Sequence, residues 1–296
     1  MSAAAAPPAM DVRDRPNRFG AAIALLAPII LINTAVFIAP IVNLLRISFN
    51  EALPGGGIGP NFTLENWVKL AEDSYYLEIV LRSVGMSLLI TLLTLLCSYP
   101  IALYLHRSRG TWRTFLFVLV ISPLLTSAVV RTYGWIAVLS DTGLINNLFA
   151  LLGAKAPVRL LYNMTGIVIG LTEILMPYMI LSLLAGFGRL DPRCEEAALT
   201  LGARPIKVFW RIVVPLTAPG IALGCLLCFV LSVSSFITPR LLGGGRVFLL
   251  ATEIYDQAIV TLNWPGAATL SILVLVIFGI ALAVYSRALR SLAIEG

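Results

Sequence analysis

Six stretches of this 296-residue chain are each long and apolar enough to cross a lipid bilayer, which takes about 20 mostly apolar residues. They are Phe19–Leu45, Ser83–Leu105, Thr114–Leu139, Tyr162–Gly188, Ile212–Pro239 and Gly266–Ser286. Hydrocarbon offers no hydrogen-bond partners, so each stretch must satisfy its own backbone as a helix. The expected fold is therefore an all-α membrane protein with six transmembrane helices. Composition agrees: 59% of residues are hydrophobic and 12% charged, against about 45–50% and about 25% in soluble domains.

The charges between the spans orient the chain. With six spans, both termini share a side. That side collects Arg13, Arg15 and Arg18 before the first span, and Arg107, Arg109 and Arg113 after the second. It also holds Arg189, Arg193, Arg204, Lys207 and Arg211 before the fifth span, and Arg287 and Arg290 after the sixth. These are 13 of the 21 Lys and Arg residues, against 7 on the other side and Arg131 within a span. Cations concentrate in cytoplasmic loops, so both termini are expected in the cytoplasm of a plasma membrane. The net charge of +6 thus reads as a topology signal. Basic residues do not interleave with aromatics on a soluble face, so nucleic acid is not an expected partner. The first apolar run exceeds the roughly 7–15 residues of a signal-peptide core and reads as an uncleaved span. The domain reading is a disordered cytoplasmic tail over 1–18, a first helix and external loop over 19–82, a five-helix core over 83–288 and a cytoplasmic tail over 289–296.

The chemistry the chain lacks is equally informative. No GxxxxGK[ST] motif is present, and none of Lys69, Lys155 and Lys207 follows a glycine. Neither HExxH nor GxSxG occurs, so the usual parts of a hydrolase are missing. Cys225 and Cys228 form a CxxC inside an apolar run, and His106 is the only histidine. These cysteines read as small packing residues, with no metal site and no cofactor expected. The chain is expected not to be an enzyme.

One segment stands out against this apolar background: EEAALTLGARPIKVFWRIVVP, Glu195–Pro215. Asp191 can cap a helix whose first residue is Pro192. Glu195 and Glu196 fall in the first turns, where carboxylates suit the helix dipole. Gly202 comes where a left-handed residue would end that helix. A basic, apolar helix from Pro205 then leads into the fifth span. On physics alone, an ordinary solvated loop helix is an equal reading. The spacing, however, resembles the EAA loop of ABC-transporter permease subunits: E-A-A, three residues, G, nine residues, I, one residue, L-P. Here Glu196, Ala197 and Ala198 are followed by Gly202, then Ile212 and Pro215, with Val214 in the leucine position. The stretches Val130–Phe149 and TPRLLGGGRVFLLATEIYDQAIVTLNWPGAA similarly resemble spermidine/putrescine-type permeases.

This resemblance implies a type I importer permease fold with a cytoplasmic coupling helix. It assigns ATPase coupling to Glu195, Glu196, Ala197, Ala198, Gly202 and Pro215. It implies as partners a dimer of ATP-binding subunits, a second permease subunit of paralogous sequence, and a periplasmic solute-binding protein. The bacterial inner membrane is the implied location. Polyamine is the first implied substrate. Importers of the same family for amino-acid derivatives or opines, and a self-contained secondary transporter, remain the alternatives.

Arg131 and Glu173 are the charges inside the spans, and intramembrane charges usually face a partner or a cavity. At about 1.5 Å per residue they lie at matching depths, about 12 and 15 Å from one membrane face. Two readings stand: they line the translocation path, or they form a structural ion pair. Trp135, one turn after Arg131, and Tyr178 in the fourth span could add cation–π contacts to an amine. Trp135 and nearby Tyr133 could equally be interfacial aromatics. Pro177 cannot donate to the Glu173 carbonyl, so a helix interruption is expected there. GxxxG occurs at Gly166–Gly170 and Gly220–Gly224, allowing close helix approach.

Overall fold

A computed structural model of the protein describes residues 18–153, 156–188 and 190–294. The stretch 1–17 of the expected N-terminal tail, together with Lys155 and Arg189, lies outside the described residues. The elements are α1 (Arg18–Ser48), β1 (Asn50–Ala52), β2 (Ile58–Phe62), α2 (Glu65–Glu72), α3 (Ser74–Arg107) and α4 (Thr111–Ile121). They continue with α5 (Ala128–Leu139), α6 (Leu144–Leu151), α7 (Met164–Phe187), α8 (Pro192–Thr200), α9 (Pro205–Val208) and α10 (Val214–Val233). The chain closes with α11 (Ile237–Leu242), α12 (Leu250–Tyr255) and α13 (Trp264–Ile294). Among the described residues five helices are long and apolar enough to span a membrane, and the bent pair Thr111–Leu125 and Ala128–Leu151, taken as one span, makes six.

That bent pair departs from the expected straight third span. The chain turns through 101° between its two halves. Pro123 opens a 3-10 turn over Ser122–Leu125, and Thr126 is extended. The side chain of Ser127 then accepts from Val129 N, capping a new helix. Arg131 lies beyond the break, in α5. The fifth span also shifts. It runs from Pro205 to Val233, with a π turn at Phe209–Val213 just before Pro215. Proline at 215 offers no N–H to the Arg211 carbonyl, and widening the turn re-registers the ladder ahead of it. Ser234 Oγ bonds back to Val230 O at 2.9 Å, and the chain leaves the helix before α11 begins. By contrast, α7 runs without a break through Pro177. α13 runs to Ile294, taking in most of the stretch read as a tail. The loop after α5 contains α6, and the loop after α1 contains an antiparallel hairpin, the only sheet among the described residues.

α7 is the hub. Its most apolar window is 56% buried inside the protein, against 39% for α3 and 0% for α1. It packs mainly on α10 and α3, through Ile167, Leu171, Leu175, Met179, Leu183 and Phe187. The α7–α10 approach is close enough to exclude side chains. A Cβ on Gly220 would sit 2.6 Å from the Gly186 Cα. One on Gly224 would sit 2.5 Å from Met179 Sδ. The GxxxG of α10 thus serves packing within this chain.

Candidate functional site

Three polar assemblies interrupt the apolar body: one where α3, α7 and α10 meet α8, one about midway along α7, and one toward the hairpin end.

At the α8 end, Asp191 Oδ1 accepts from Arg193 N at 2.9 Å, and Pro192 opens the helix. The helix closes with paired backbone bonds, Ala203 N to Ala198 O at 3.1 Å and Gly202 N to Leu199 O at 3.0 Å. This is a Schellman ending, and it requires the left-handed φ of +81° at Gly202. Ala197 and Ala198 lie on the last turns of α8, and Pro215 lies in the first turn of α10. The two acids differ in their surroundings. Glu195 Oε2 accepts from Arg107 Nη2 at 2.6 Å, tying α8 to the end of α3. Glu196 is exposed and has no hydrogen bond or ion pair among the described residues. Beside it, Leu199, Leu201, Ile206 and Trp210 are exposed, Leu201 by 88%. Leu199 and Leu201 lie outside the spans, whereas Ile206 and Trp210 open the fifth; exposed apolar residues on a polar helix are the kind of surface at which partners dock.

Beneath α8 lies an aromatic cluster that sequence reasoning missed. The fully buried Phe187 ring meets Tyr99 edge-on at 5.5 Å and stacks with His106 at 5.3 Å. Tyr99 also meets Phe209 edge-on at 5.6 Å. The Tyr99 and Thr217 hydroxyls are 3.2 Å apart. These contacts join the ends of α3, α7 and the α9–α10 helix into one block. The available signal was the seven-residue spacing of Tyr99 and His106, two turns apart on one helix face.

Midway along α7, Glu173 meets α5. Trp135 Nε1 donates to Glu173 Oε2 at 3.0 Å. Arg131 Nη1 stands 3.7 Å from Glu173 Oε1, an ion pair too long for a hydrogen bond. The Arg131 side chain is only 12% exposed, and its Nε and Nη1 have no hydrogen-bond partner. Each buried donor left unpaired costs about 1–3 kcal/mol. On its other side Glu173 borders a cavity of about 550 Å³ between α3, α4 and α7. Aliphatic side chains, among them Leu116, Val120, Met176 and Ile180, line most of it. Pro177 also lines it, so the position expected to break α7 instead shapes this wall. The structure thus brings Arg131, Trp135 and Glu173 together. Tyr178 is not joined to them: five residues after Glu173, it points about 140° away around the helix and is 38% exposed.

Toward the hairpin end, α12 supplies a further buried acid outside the spans. Glu253 is 3% exposed and accepts from Tyr75 Oη and from Gln257 Nε2, each at 2.9 Å. Arg240 pairs with Asp256 at 3.0 Å. This network ties the start of α3 to the segment between the last two spans.

Apolar spans that pack on a central α7, a capped polar helix in the loop before the fifth span, and a charged cluster at membrane depth are the parts of a transport permease. Residues 95–291 match the family described as binding-protein-dependent transport system inner membrane component, and the chain belongs to that family. It is 37% identical over 232 residues, 78% of this chain and 84% of the other, to the spermidine/putrescine transport system permease protein PotB of Escherichia coli strain K12. With the PotB of Haemophilus influenzae it shares 34% over 262 residues, 88% of this chain and 91% of the other. The fold matches a bacterial alginate ABC transporter solved with an alginate pentasaccharide-bound periplasmic protein, at a TM-score of 0.72 and 18% identity, covering 93% and 95% of the two chains. The protein is thus a multi-pass inner membrane permease subunit of an ABC importer. It is not an enzyme: such permeases work with a periplasmic binding protein and a separate ATPase.

Proposed function

We propose that this chain is one of two permease subunits of a polyamine importer, paired with a paralogous permease and driven by a dimer of ATP-binding subunits. The observation that carries the substrate is the 37% identity to a spermidine/putrescine permease over most of both chains. In this reading both termini face the cytoplasm, in keeping with the cation bias of the loops. The α8 segment is then the coupling helix. Glu196, Ala197 and Ala198 face the ATPase, with Leu199 and Leu201 as apolar anchors. Gly202 sets the angle at which α9 leaves, and Pro215 marks the entry to the fifth span. Glu195 has a different role: through Arg107 it holds the coupling helix to α3. ATP-driven closure of the partner would push on α8. The Tyr99–Phe187–His106–Phe209 block would carry that displacement into α3, α7 and α10 together. Those helices hold the Glu173 region, so a movement at one end changes access at the other.

A photo-crosslinking residue at Leu201, in cells expressing the whole transporter, tests the docking. The expected result is an adduct with the ATPase subunit that disappears when the crosslinker is moved to Leu81, an exposed position near the opposite end of α3. Equal labelling from both sites would refute it.

A further inference from the structure

We propose that Glu173 and the apolar cavity beside it bind an alkylammonium group, with Arg131 as the displaceable internal counter-charge that holds Glu173 when substrate is absent. This rests on the reading of the chain as an importer of organic cations.

The two carboxylate oxygens are unequally engaged. Oε2 is held by the Trp135 indole at 3.0 Å. Oε1 has only the Arg131 guanidinium at 3.7 Å and no hydrogen bond from any described residue. An ammonium, with three donors on a compact charge, would make the short bond there that Arg131 does not. Nor is Arg131 locked in place, because its buried Nε and Nη1 lack acceptors. A guanidinium held by Coulomb attraction alone can yield to a cation that brings hydrogen bonds.

The cavity supplies the second half of the recognition. Its volume of about 550 Å³ is within the roughly 300–1,000 Å³ typical of small-molecule sites. Glu173 is its one charged lining residue, and the walls are largely aliphatic. A methylene chain gains by leaving water here, and its terminal ammonium reaches the carboxylate. Sodium or potassium gains nothing from such walls and would have to shed its hydration shell against them. The site therefore favours linear aliphatic amines over inorganic cations. Once the ammonium is seated, Arg131 loses its counter-charge, and two cations share one carboxylate. That repulsion keeps occupancy brief, as a conduit requires.

The test uses the whole transporter, reconstituted in proteoliposomes with its partner permease, ATPase and binding protein. Radiolabelled putrescine is the substrate probe and rubidium the leak probe. Glu173→Gln keeps an acceptor for Trp135 but removes the charge. We expect it to assemble, yet to lose putrescine uptake by at least about tenfold, with partial recovery in Glu173→Asp. Arg131→Gln removes the competing cation, so the purified complex should retain bound putrescine several-fold longer than wild type, with rubidium leak unchanged. If wild type carries putrescine and Glu173→Gln carries it equally well, the site is wrong while the importer reading stands. If wild type carries no amine, both fall. If Glu173→Gln fails to assemble, Arg131→Gln decides: putrescine retained no longer than in wild type overturns the proposal.

Discussion

The α8 end and the Glu173 cluster both bring charge to an apolar bundle, and they handle it in opposite ways. At the α8 end the polar groups are largely satisfied. Asp191 caps, Glu195 finds Arg107 at 2.6 Å, the carbonyls of Ala198 and Leu199 are closed by the turn at Gly202, and aromatic rings fill the space beneath. At the Glu173 cluster the guanidinium keeps unpaired donors, and the carboxylate borders open volume. One region is closed and packed. The other leaves interactions unmade within the chain. The same low polarity that strengthens a completed network makes an incomplete one costly, so the second arrangement needs a use.

The largest effect that would separate the two regions is expected from Phe187→Ala. Removing a fully buried ring that touches Tyr99 and His106 should cost about 3–5 kcal/mol, read as a marked fall in the melting temperature of the detergent-purified complex. An unchanged melting temperature would mean that the α8 end is not the rigid block described. Next comes Gly202→Val. At φ +81° a β-branched residue is strained by about 1–3 kcal/mol, so co-purification with the ATPase and ATP-driven uptake should both fall. Gly202→Asn, which tolerates that conformation, should retain both. A Val variant equal to Asn would show that the turn geometry does not matter.

Trp135→Phe sharpens the contrast from the other side. It removes the one hydrogen bond to Glu173. Such bonds within membranes contribute about 0.6 kcal/mol on average, so stability should barely move while putrescine uptake drops. A melting shift as large as that of Phe187→Ala would make the cluster structural. Arg107→Gln should be smallest. The pair is partly exposed, 55% on the arginine and 19% on the glutamate, so its loss should cost less than about 1 kcal/mol. Raising the salt concentration should erase the difference from wild type.

How far the sequence revealed each region follows from the range of the forces involved. Asp191, Pro192 and Gly202 act on their own neighbours, so the start and end of α8 were readable residue by residue. The meeting of Arg131 with Glu173 was foreseeable from two intramembrane charges at matched depth. The 101° turn between α4 and α5 was not, because hydropathy cannot distinguish an apolar helix from two shorter ones separated by the Thr126–Ser127 cap. The fifth span was misplaced for a similar reason: apolar residues continue past Val233, where α10 ends, into α11, and hydropathy does not mark that break. Tyr99, His106, Phe187 and Phe209 come from three separate helices, so their cluster exists only once those helices pack. Tyr178 shows the converse. An aromatic on the right helix still misses the site when it lies on the wrong face.

The central claim is that this chain moves substrate only when a partner's ATPase acts on it. Proteoliposomes containing this chain with its partner permease, the ATPase and a loaded binding protein, with ATP on the α8 side, measure this directly. Putrescine should accumulate, and accumulation should stop when ATP or the ATPase is withheld. Equal accumulation by the permease subunits alone, driven only by an ion gradient, would contradict that claim.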